Sequence, residues 1–212
     1  MKCALSEPAR KIQTLVWGGL ILVALVILAV FLFAPPPAKP LPVYGDVPDF
    51  SLSDENGRII SRADWRGQIC VADLIFTRCA GQCLLMAATL NQLPAALPPR
   101  PSVRLVSLTS DPAFDTPSVL KKYGERFGAR EGVWTFLTGP KEKMRQLAMD
   151  GLKLNMVDKE PSEQETPVDL VIHSTKLVLI DQRGRIRGYF DGRTPDCIPP
   201  ILAAIQNLAR EK

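Results

Sequence analysis

An apolar run near the N-terminus limits what the first part of this chain can become. Residues 15–34 contain no charged side chain over 20 consecutive positions. As an α-helix, such a segment is about 30 Å long at about 1.5 Å per residue, which matches the hydrocarbon thickness of a bilayer. A helix buried in a globular core is rarely apolar on every face. The sequence therefore predicts one transmembrane helix at residues 15–34.

The residues on either side of this run indicate its orientation. Lys2, Arg10 and Lys11 precede it, so the positive-inside rule places residues 1–14 in the cytoplasm. A secretory signal peptide usually has an apolar region of about 7 to 15 residues followed by a small-residue cleavage site. This run is longer and continues into three prolines. We therefore expect an uncleaved, single-pass anchor in the inner (cytoplasmic) membrane, with the C-terminal domain in the periplasm.

A proline-rich segment follows the apolar run. Six of the 14 residues at 35–48 are proline, a composition that favours the extended polyproline II conformation. We expect a stalk at residues 35–48 and one folded domain at residues 49–212, which is an ordinary domain size. The whole chain has a formal net charge of +4, with basic residues scattered among acidic ones. The charge pattern therefore does not indicate nucleic-acid binding.

Strand and helix patterns alternate in residues 49–212. A nearly continuous apolar run at residues 69–76 predicts a central strand covered on both faces, and an Asn-Gly turn at residues 56–57 predicts a hairpin before it. Further strands are predicted at 103–108, 134–137, 177–180 and 186–190, and helices at 84–93, 116–127, 141–150 and 198–210. Pro94 is expected to close the first of these helices. The order predicts an α/β sandwich of the thioredoxin-like type with an N-terminal hairpin.

Two cysteines follow the predicted central strand directly. Cys79 and Cys83 are four residues apart at the junction of strand and helix, so both sulfurs can face the same side. The positive end of the helix dipole is expected to favour thiolate over thiol at this place. Thiolates are soft ligands that select Cu(I) over hard cations. The spacing therefore indicates a pair that binds a soft metal ion.

The chain contains one histidine, His173. A lone histidine is more often an ordinary surface or core residue than a ligand, but a neighbouring pair of cysteines reverses that expectation. Two sulfurs and one imidazole nitrogen form a three-coordinate set that can hold Cu(II) as well as Cu(I). Cys79, Cys83 and His173 are therefore the candidate metal ligands.

The cysteines have other possible roles. Cys79 and Cys83 can form a structural disulfide in an oxidising compartment, although so short a loop gains little stability from a cross-link. The same pair can act catalytically by exchanging disulfides with a target. Cys70 is expected to be a small core residue, and Cys197 a bystander at the start of the last helix. Cys3 is on the predicted cytoplasmic side and cannot reach the pair.

Several motifs, taken together and in order, resemble the Sco/SenC family over about residues 44–208. They are Val47-Pro-Asp-Phe-Ser-Leu-Ser53, Asp73-Leu-Ile-Phe-Thr-Arg-Cys79 with Cys83, Leu108-Thr-Ser-Asp-Pro112 with Asp115-Thr-Pro117, and His173 before a Leu-Val-Leu-Ile-Asp181 strand. The resemblance implies a copper metallochaperone whose two cysteines and histidine bind copper. It also implies that the protein assists assembly of the dinuclear copper centre of cytochrome c oxidase, with oxidase subunit II or its assembly factors as partner.

The chain departs from the family pattern in two places. Many relatives have proline directly after the first cysteine, whereas this chain has Ala80-Gly81-Gln82, a looser first turn. The acidic stretch that often precedes the histidine is reduced to Asp169. The three expected ligands themselves are present.

A thiol-disulfide oxidoreductase that reduces the cysteines of the copper-site target is the alternative function. Thioredoxin-like oxidoreductases usually have a cis-proline directly before the strand that faces the cysteines. Here His173 and Ser174 take the corresponding place, and the nearest earlier proline is Pro167. This difference favours the metallochaperone. Asp111 and Asp115 are expected to serve in turns and caps rather than to steer a partner.

Overall fold

The chain divides into two compact units, Met1–Ala38 and Lys39–Lys212. The computed structural model describes residues 7–33, 40–79, 81–97, 102–159, 162 and 171–211. Within these ranges, the side chains of residues 7–12, 14, 30–33 and 171–173 lie outside the description.

The first unit contains one long helix, α1, at Glu7–Phe33. The large apolar side chains described between residues 15 and 28 are all exposed, from 51% at Leu28 to 75% at Leu15. Among the described residues, no helix combines the length and the apolar character that crossing a bilayer requires. The helix α1 covers residues 15–33 of the segment that was predicted to cross the membrane. The crossing itself stays a prediction.

Strands and helices alternate through the second unit. The strands are β1 Gly45–Asp46, β2 Ser51–Asp54, β3 Ile59–Ser61, β4 Ile69–Ile75, β5 Val103–Thr109, β6 Trp134–Thr138, β7 Met156–Asp158, β8 Val171–His173, β9 Lys176–Ile180 and β10 Arg185–Asp191. The helices are α2 Gln82–Ala96, α3 Pro117–Arg126, α4 Lys141–Arg145, which continues as a π-helical turn at Gln146–Gly151, and α5 Ile198–Arg210.

Eight of these strands form one mixed sheet in the order β1-β10-β9-β4-β5-β6-β2-β3. The neighbours β4 and β5, and β5 and β6, are parallel, whereas the other pairs are antiparallel. The strands β7 and β8 form a separate antiparallel ladder. The predicted α/β sandwich and its β2–β3 hairpin are therefore confirmed, and β4 is a central strand.

Strand β4 is buried on both faces, as its apolar sequence predicts, because all seven of its residues are buried. Its alternate residues enter two hydrophobic clusters, Ile69, Val71 and Ile75 in one and Cys70, Ala72 and Leu74 in the other. This alternation is the two-residue period of a strand covered on both faces. Burial raises the pKa of Cys70 to about 12, which agrees with its predicted place in the core.

The two clusters place the helices in two layers. Residues of α2, α3 and α5 pack in the cluster that contains Ile69, while the segment formed by α4 and the π-helical turn packs in the other. The helices α2 and α3 connect parallel neighbouring strands, and such crossovers have a constant hand, so both cover the same face of the sheet. The carboxyl ends of β4 and β5 therefore lie at the same edge of the sheet as the N-terminal ends of α2 and α3.

The helix after the central strand is longer than expected. Pro94 lies inside α2, which ends at Ala96, so the prediction that Pro94 closes this helix is wrong. A proline in the last turn removes one helical hydrogen bond and crowds the preceding turn. Leu90 and Leu93 of the same helix are each about 1% exposed, and we attribute the continued helix to their burial in the core.

Part of the segment predicted to form a stalk contacts the C-terminal part of the second unit. The Arg187 guanidinium, 3% exposed, donates from Nη2 to the carbonyl of Leu41 at 2.7 Å and from Nε to that of Pro42 at 3.1 Å. The backbone N–H of Leu41 donates to Oε1 of Glu211 at 2.9 Å. Arg187 and Glu211, the residue that directly follows α5, therefore both bind the beginning of this unit.

Replacing Arg187 by methionine should lower the free energy of unfolding by about 3 kcal/mol, because removing one partner of a buried ion pair leaves the other charge uncompensated. Arg187 pairs with Asp181 at 2.8 Å and with Glu211 at 2.6 Å. Urea unfolding of the full chain in detergent measures the change. Arg183→Met is the matched control, since Arg183 is exposed; an equal loss in both variants would contradict this role.

The same network predicts a dependence on pH. Burial acts to raise the pKa of Asp181, but hydrogen bonds from the Arg185 backbone and the Arg187 side chain outweigh it, and the pKa lies below its usual value of 3.8. Stability from this carboxylate is therefore present above about pH 4 and is lost as the pH falls towards the folded-state pKa. Arg187→Met should lose less stability than the wild type between about pH 5 and pH 2.

Candidate functional site

Cys79 and Cys83 lie where the central strand turns into α2. After β4 ends, the backbone N–H of Cys79 donates to the carbonyl of Phe76 at 3.0 Å and closes a turn. The helix begins at Gln82 with Gly81 as its N-cap, so Cys83 lies in the first helical turn. The predicted placement, one cysteine on the loop and one in the first turn after a central strand, is confirmed.

The two sulfurs differ in exposure but are in contact. Cys83 is completely buried, whereas Cys79 is half-buried. Both are thiols, and their side chains hydrogen bond to each other. The pair therefore has one sulfur that a partner can approach and one sulfur that the core shields.

Burial changes the chemistry of the inner thiol. The hydrogen bond with Cys79 raises the pKa of Cys83 most, burial raises it further, and a hydrogen bond with the backbone of Phe76 opposes both effects. At Cys83 the hydrogen bond with Cys79 and the burial of the sulfur therefore oppose the expected stabilisation of a thiolate by the helix dipole. A half charge at a helix end does not compensate for removing a thiolate from water. A metal cation that replaces the thiol proton can compensate for it.

A buried carboxylate fixes the loop before Cys79. Asp115 has no exposed surface and accepts hydrogen bonds from the hydroxyl groups of Thr77 and Thr109. It also accepts one from the backbone N–H of Thr77 at 3.3 Å. Burial raises the pKa of Asp115, while these hydrogen bonds oppose the rise. Thr109 at the end of β5 and Asp115, two residues before α3, thus hold the turn that carries Cys79.

The roles of Thr77 and Thr109 at this site were not predicted from the sequence. Thr77 follows β4 and Thr109 ends β5, and these two apolar strands are parallel neighbours. Polar residues at the carboxyl ends of such strands meet at one edge of the sheet. This pattern could have indicated from the sequence that the two threonines belong to the site. Asp115 was expected to serve local structure, and its contacts with the two threonines agree with that role.

Arg78 forms the outer wall of the site. Its guanidinium pairs with Asp111 at 2.5 Å and lies over the ring of Phe114, 4.3 Å from the centroid. The side chain of Phe114 is 45% exposed. A guanidinium over the face of an aromatic ring is attracted by the negative charge of that face. The surface beside Cys79 therefore offers an ordered apolar and basic contact.

The backbone places His173 at the end of β8, where it pairs with Met156 of β7. This ladder was not predicted from the sequence. The side chain of His173 lies outside the described residues, as do Pro167 and Asp169. Among the side chains that are described, no group of three His, Cys, Asp or Glu residues is placed to hold a metal ion. The approach of the imidazole to the two sulfurs stays a prediction.

Cys197 directly precedes α5. It is 7% exposed and belongs to the hydrophobic cluster that α5 also enters. Burial raises its pKa, so this thiol has little thiolate character near neutral pH. These features are those of a core residue.

Comparison with known proteins identifies the family. The model of the SCO1/SenC family matches residues 44–210 of the chain. The chain belongs to the SCO1/SenC family. The matched range contains both cysteines and His173, so the resemblance seen in the motifs is confirmed at the level of the family.

Solved structures of SCO1/SenC proteins share the fold. A SCO1/SenC lipoprotein of Bacillus anthracis is 27% identical, with a TM-score of 0.70 over 81% of this chain and 99% of that chain. BsSco, described as a cytochrome c oxidase assembly protein with a disulfide switch, is 23% identical, with a TM-score of 0.66 over 82% and 99%. ScoI of Bradyrhizobium japonicum, solved with copper bound, is 20% identical, with a TM-score of 0.63 over 78% and 98%. The mixed α/β fold is the thioredoxin-like fold of Sco proteins.

Proposed function

We propose that this chain is a copper metallochaperone that binds Cu(I) through Cys79, Cys83 and His173. The observation that carries the proposal is the pair of hydrogen-bonded thiols at the end of β4, one half-buried and one buried. Two thiolates form a soft donor set suited to Cu(I). The half-buried sulfur supports transfer, because a target thiolate can reach it and replace it as a ligand.

His173 supplies the third ligand in this proposal. Its backbone ends the β7–β8 ladder, and a histidine there adds the nitrogen that lets the same site hold Cu(II). Metal binding releases the thiol protons to solvent. Burial disfavours a bare thiolate at Cys83, so the bound cation is what makes the thiolate form stable at this sulfur.

The proposed recipient is the dinuclear copper centre of cytochrome c oxidase, in oxidase subunit II or in its assembly factors. BsSco is described as a member of a family of cytochrome c oxidase assembly proteins, and ScoI of Bradyrhizobium japonicum contains copper. Membership of the same family supports the extension to this chain. The stacked pair of Arg78 and Phe114 beside Cys79 is the surface that a recipient would cover.

We further propose that α1 anchors the chain in the inner membrane, with residues 1–14 in the cytoplasm and the domain in the periplasm. The apolar side chains described in α1 are exposed along its length, and contiguous exposed apolar surface of this extent indicates a membrane or protein contact. Lys2, Arg10 and Lys11 on the N-terminal side support this orientation. The lipoprotein relative supports a location at a membrane.

The alternative is a thiol-disulfide oxidoreductase that reduces the cysteines of the recipient. The hydrogen bond between the side chains of Cys79 and Cys83 favours it, since sulfurs in contact can close a disulfide. In that reaction the pair gives two electrons and two protons to a target disulfide and becomes a disulfide itself. The disulfide switch of BsSco supports this chemistry in a relative.

Copper titration of the full chain tests the main proposal. Membranes that contain the protein are washed at alkaline pH, and the chain is expected to stay with them before extraction into detergent. The reduced protein should then bind one equivalent of Cu(I) in competition with a coloured chelator, and Cu(II) should produce sulfur-to-copper charge-transfer absorption. Stoichiometric binding supports the chaperone. A reduced protein that exchanges disulfides but does not compete for Cu(I) would favour the oxidoreductase.

A further inference from the structure

The chain that leads from β4 to Cys79 is held by the segment that follows β5. The first contact is at the last residue of β4, where Ser110 donates from its backbone N–H and from its hydroxyl to the carbonyl of Ile75, at 2.8 Å and 3.1 Å. Ser110 is 1% exposed, so both hydrogen bonds are shielded from water. The strand end from which the cysteine loop starts is therefore fixed to its neighbour.

Thr77 makes the next contact and is held at two points. Its backbone N–H donates to Oδ2 of Asp115 at 3.3 Å, and its hydroxyl donates to Oδ1 of the same carboxylate. Two hydrogen bonds to one carboxylate fix an orientation as well as a distance. Asp115 is itself fixed, since Oδ2 also accepts from the hydroxyl of Thr109 and its backbone N–H donates to the carbonyl of Asp111 at 2.9 Å. Thr77 therefore has a defined orientation two residues before Cys79.

The burial of Asp115 makes this contact costly to break. The residue has no exposed surface, and no described lysine or arginine forms an ion pair with it. A buried carboxylate depends on its hydrogen bonds, and Thr77 supplies two of the three side-chain hydrogen bonds of Asp115. A shift of Thr77 would leave a buried anion with one donor, which is unfavourable. The loop therefore has one strongly preferred position.

The helix on the other side of Cys79 provides less support. α2 begins at Gln82 with Gly81 as its N-cap, and no side chain makes a capping hydrogen bond there. Among the described residues, no atom outside the adjoining chain lies within 4 Å of the place where a side chain of Gly81 would begin. The backbone contacts described for the cysteine loop are on the strand side, at Thr77 and at the carbonyl of Phe76, which accepts from the N–H of Cys79 at 3.0 Å.

We propose that Thr77 and Asp115 are positioning residues that fix the direction in which the half-buried sulfur of Cys79 is offered to copper. The inference rests on the proposed copper function. A metal site requires ligands that their supporting contacts hold to within about 0.5 Å. Cys83 is placed by α2 and the core, whereas Cys79 lies on the loop and is placed by Asp115 through Thr77. Neither positioning residue binds the ion, and no proton is transferred between them.

Thr77→Val tests this role in the full chain in detergent. Valine is similar in size to threonine and keeps the backbone N–H, so the variant removes only the hydroxyl that donates to Asp115. With Cu(I) alone as the probe, in competition with a coloured chelator, affinity should be about 10-fold lower, as is typical when a contact that orients a metal ligand is lost. With Cu(II), the sulfur-to-copper absorption should weaken, because its intensity depends on the direction of the sulfur. Thr77→Ser keeps the hydroxyl and should restore both properties.

Ser61→Ala is the matched control, since it also removes a hydroxyl that donates to a carboxylate, that of Asp64 at 2.7 Å. Ser61 ends β3, the edge strand of the large sheet, which β6 and β2 separate from β5. The control should lower the melting temperature and leave copper affinity and absorption unchanged. A control that weakens copper binding as much as Thr77→Val would mean that the loss reflects general stability, and the inference would be wrong.

The remaining outcomes are equally distinct. If Thr77→Val binds copper like the wild type, or if Thr77→Ser is as impaired as Thr77→Val, the hydroxyl does not position the ligand, while the copper function stands. If Thr77→Val does not fold, Asp115→Asn decides, because it keeps the shape of the side chain but has one acceptor oxygen instead of two. Lower affinity and weaker absorption support the inference, and wild-type values overturn it. A wild type that binds no Cu(I) overturns the copper function itself.

Discussion

Replacing Cys79 by serine is expected to abolish both Cu(I) binding and disulfide formation. A serine hydroxyl is a hard donor that stays protonated at neutral pH, so it does not replace a thiolate in binding a soft ion. The remaining Cys83 has no second sulfur with which to close the intramolecular disulfide. The fold should be preserved, because the turn is closed by the backbone N–H of Cys79 and the carbonyl of Phe76. Chelator competition for Cu(I) and a mass measurement after mild oxidation give the two results.

Cys197→Ser is the matched control for this substitution. Cys197 is a core thiol of the α5 cluster, and its replacement should lower stability by about 1 kcal/mol, through burial of an extra polar group, without changing copper affinity. If Cys79→Ser keeps Cu(I) binding within about tenfold of the wild type, the sulfur pair is not the site. If Cys197→Ser weakens binding as strongly as Cys79→Ser, the metal ion is bound elsewhere in the chain.

The position of the cysteine pair was predictable because local signals agree there. An apolar run of strand length, followed by helix-forming residues, places Cys79 on the turn and Cys83 in the first helical turn. The period of two in β4 then determines which residues enter each hydrophobic cluster. The end of α2 was predicted wrongly, since Pro94 acts locally but the burial of Leu90 and Leu93 is a tertiary effect.

The parts that sequence reasoning missed depend on long-range contacts. Arg187 donates to carbonyl groups about 145 residues earlier in the chain, and no local pattern predicts such a contact. The short β7–β8 ladder joins Met156 with His173 across 17 positions and has little periodicity of its own.

The expected thiolate at Cys83 illustrates a physical limit of motif reasoning. The spacing identifies a sulfur at a helix N-terminus, where the dipole lowers a thiol pKa. It does not reveal the burial of that sulfur or its hydrogen bond with Cys79, and in this fold both effects raise the pKa. The burial of Cys83 is a tertiary property, because it depends on the packing of α2 against the sheet and not on the spacing of the two cysteines.

Replacing His173 by alanine should separate the two candidate functions. The substitution leaves both sulfurs and α2 in place, so exchange with a model disulfide should continue at close to the wild-type rate. Copper would lose its nitrogen ligand, and we expect Cu(II) binding to be lost and Cu(I) binding to weaken by at least about 100-fold, more than the loss of an outer partner causes. The backbone pairing of this position with Met156 is available to alanine, so the β7–β8 ladder should persist.

Copper loading of cytochrome c oxidase in cells that carry His173→Ala decides between the chaperone and the reductase. A chaperone without its nitrogen ligand should leave the dinuclear copper centre empty even though disulfide exchange is intact, because the ion is no longer held during transfer. Ser174→Ala is the control for changes next to the ladder, since Ser174 follows His173 directly and its hydroxyl accepts a hydrogen bond from the backbone N–H of Lys176 at 3.2 Å; oxidase loading should be normal in this variant. Near-normal loading with His173→Ala would instead mean that the sulfur pair serves the recipient as a reductant, with copper supplied by another carrier.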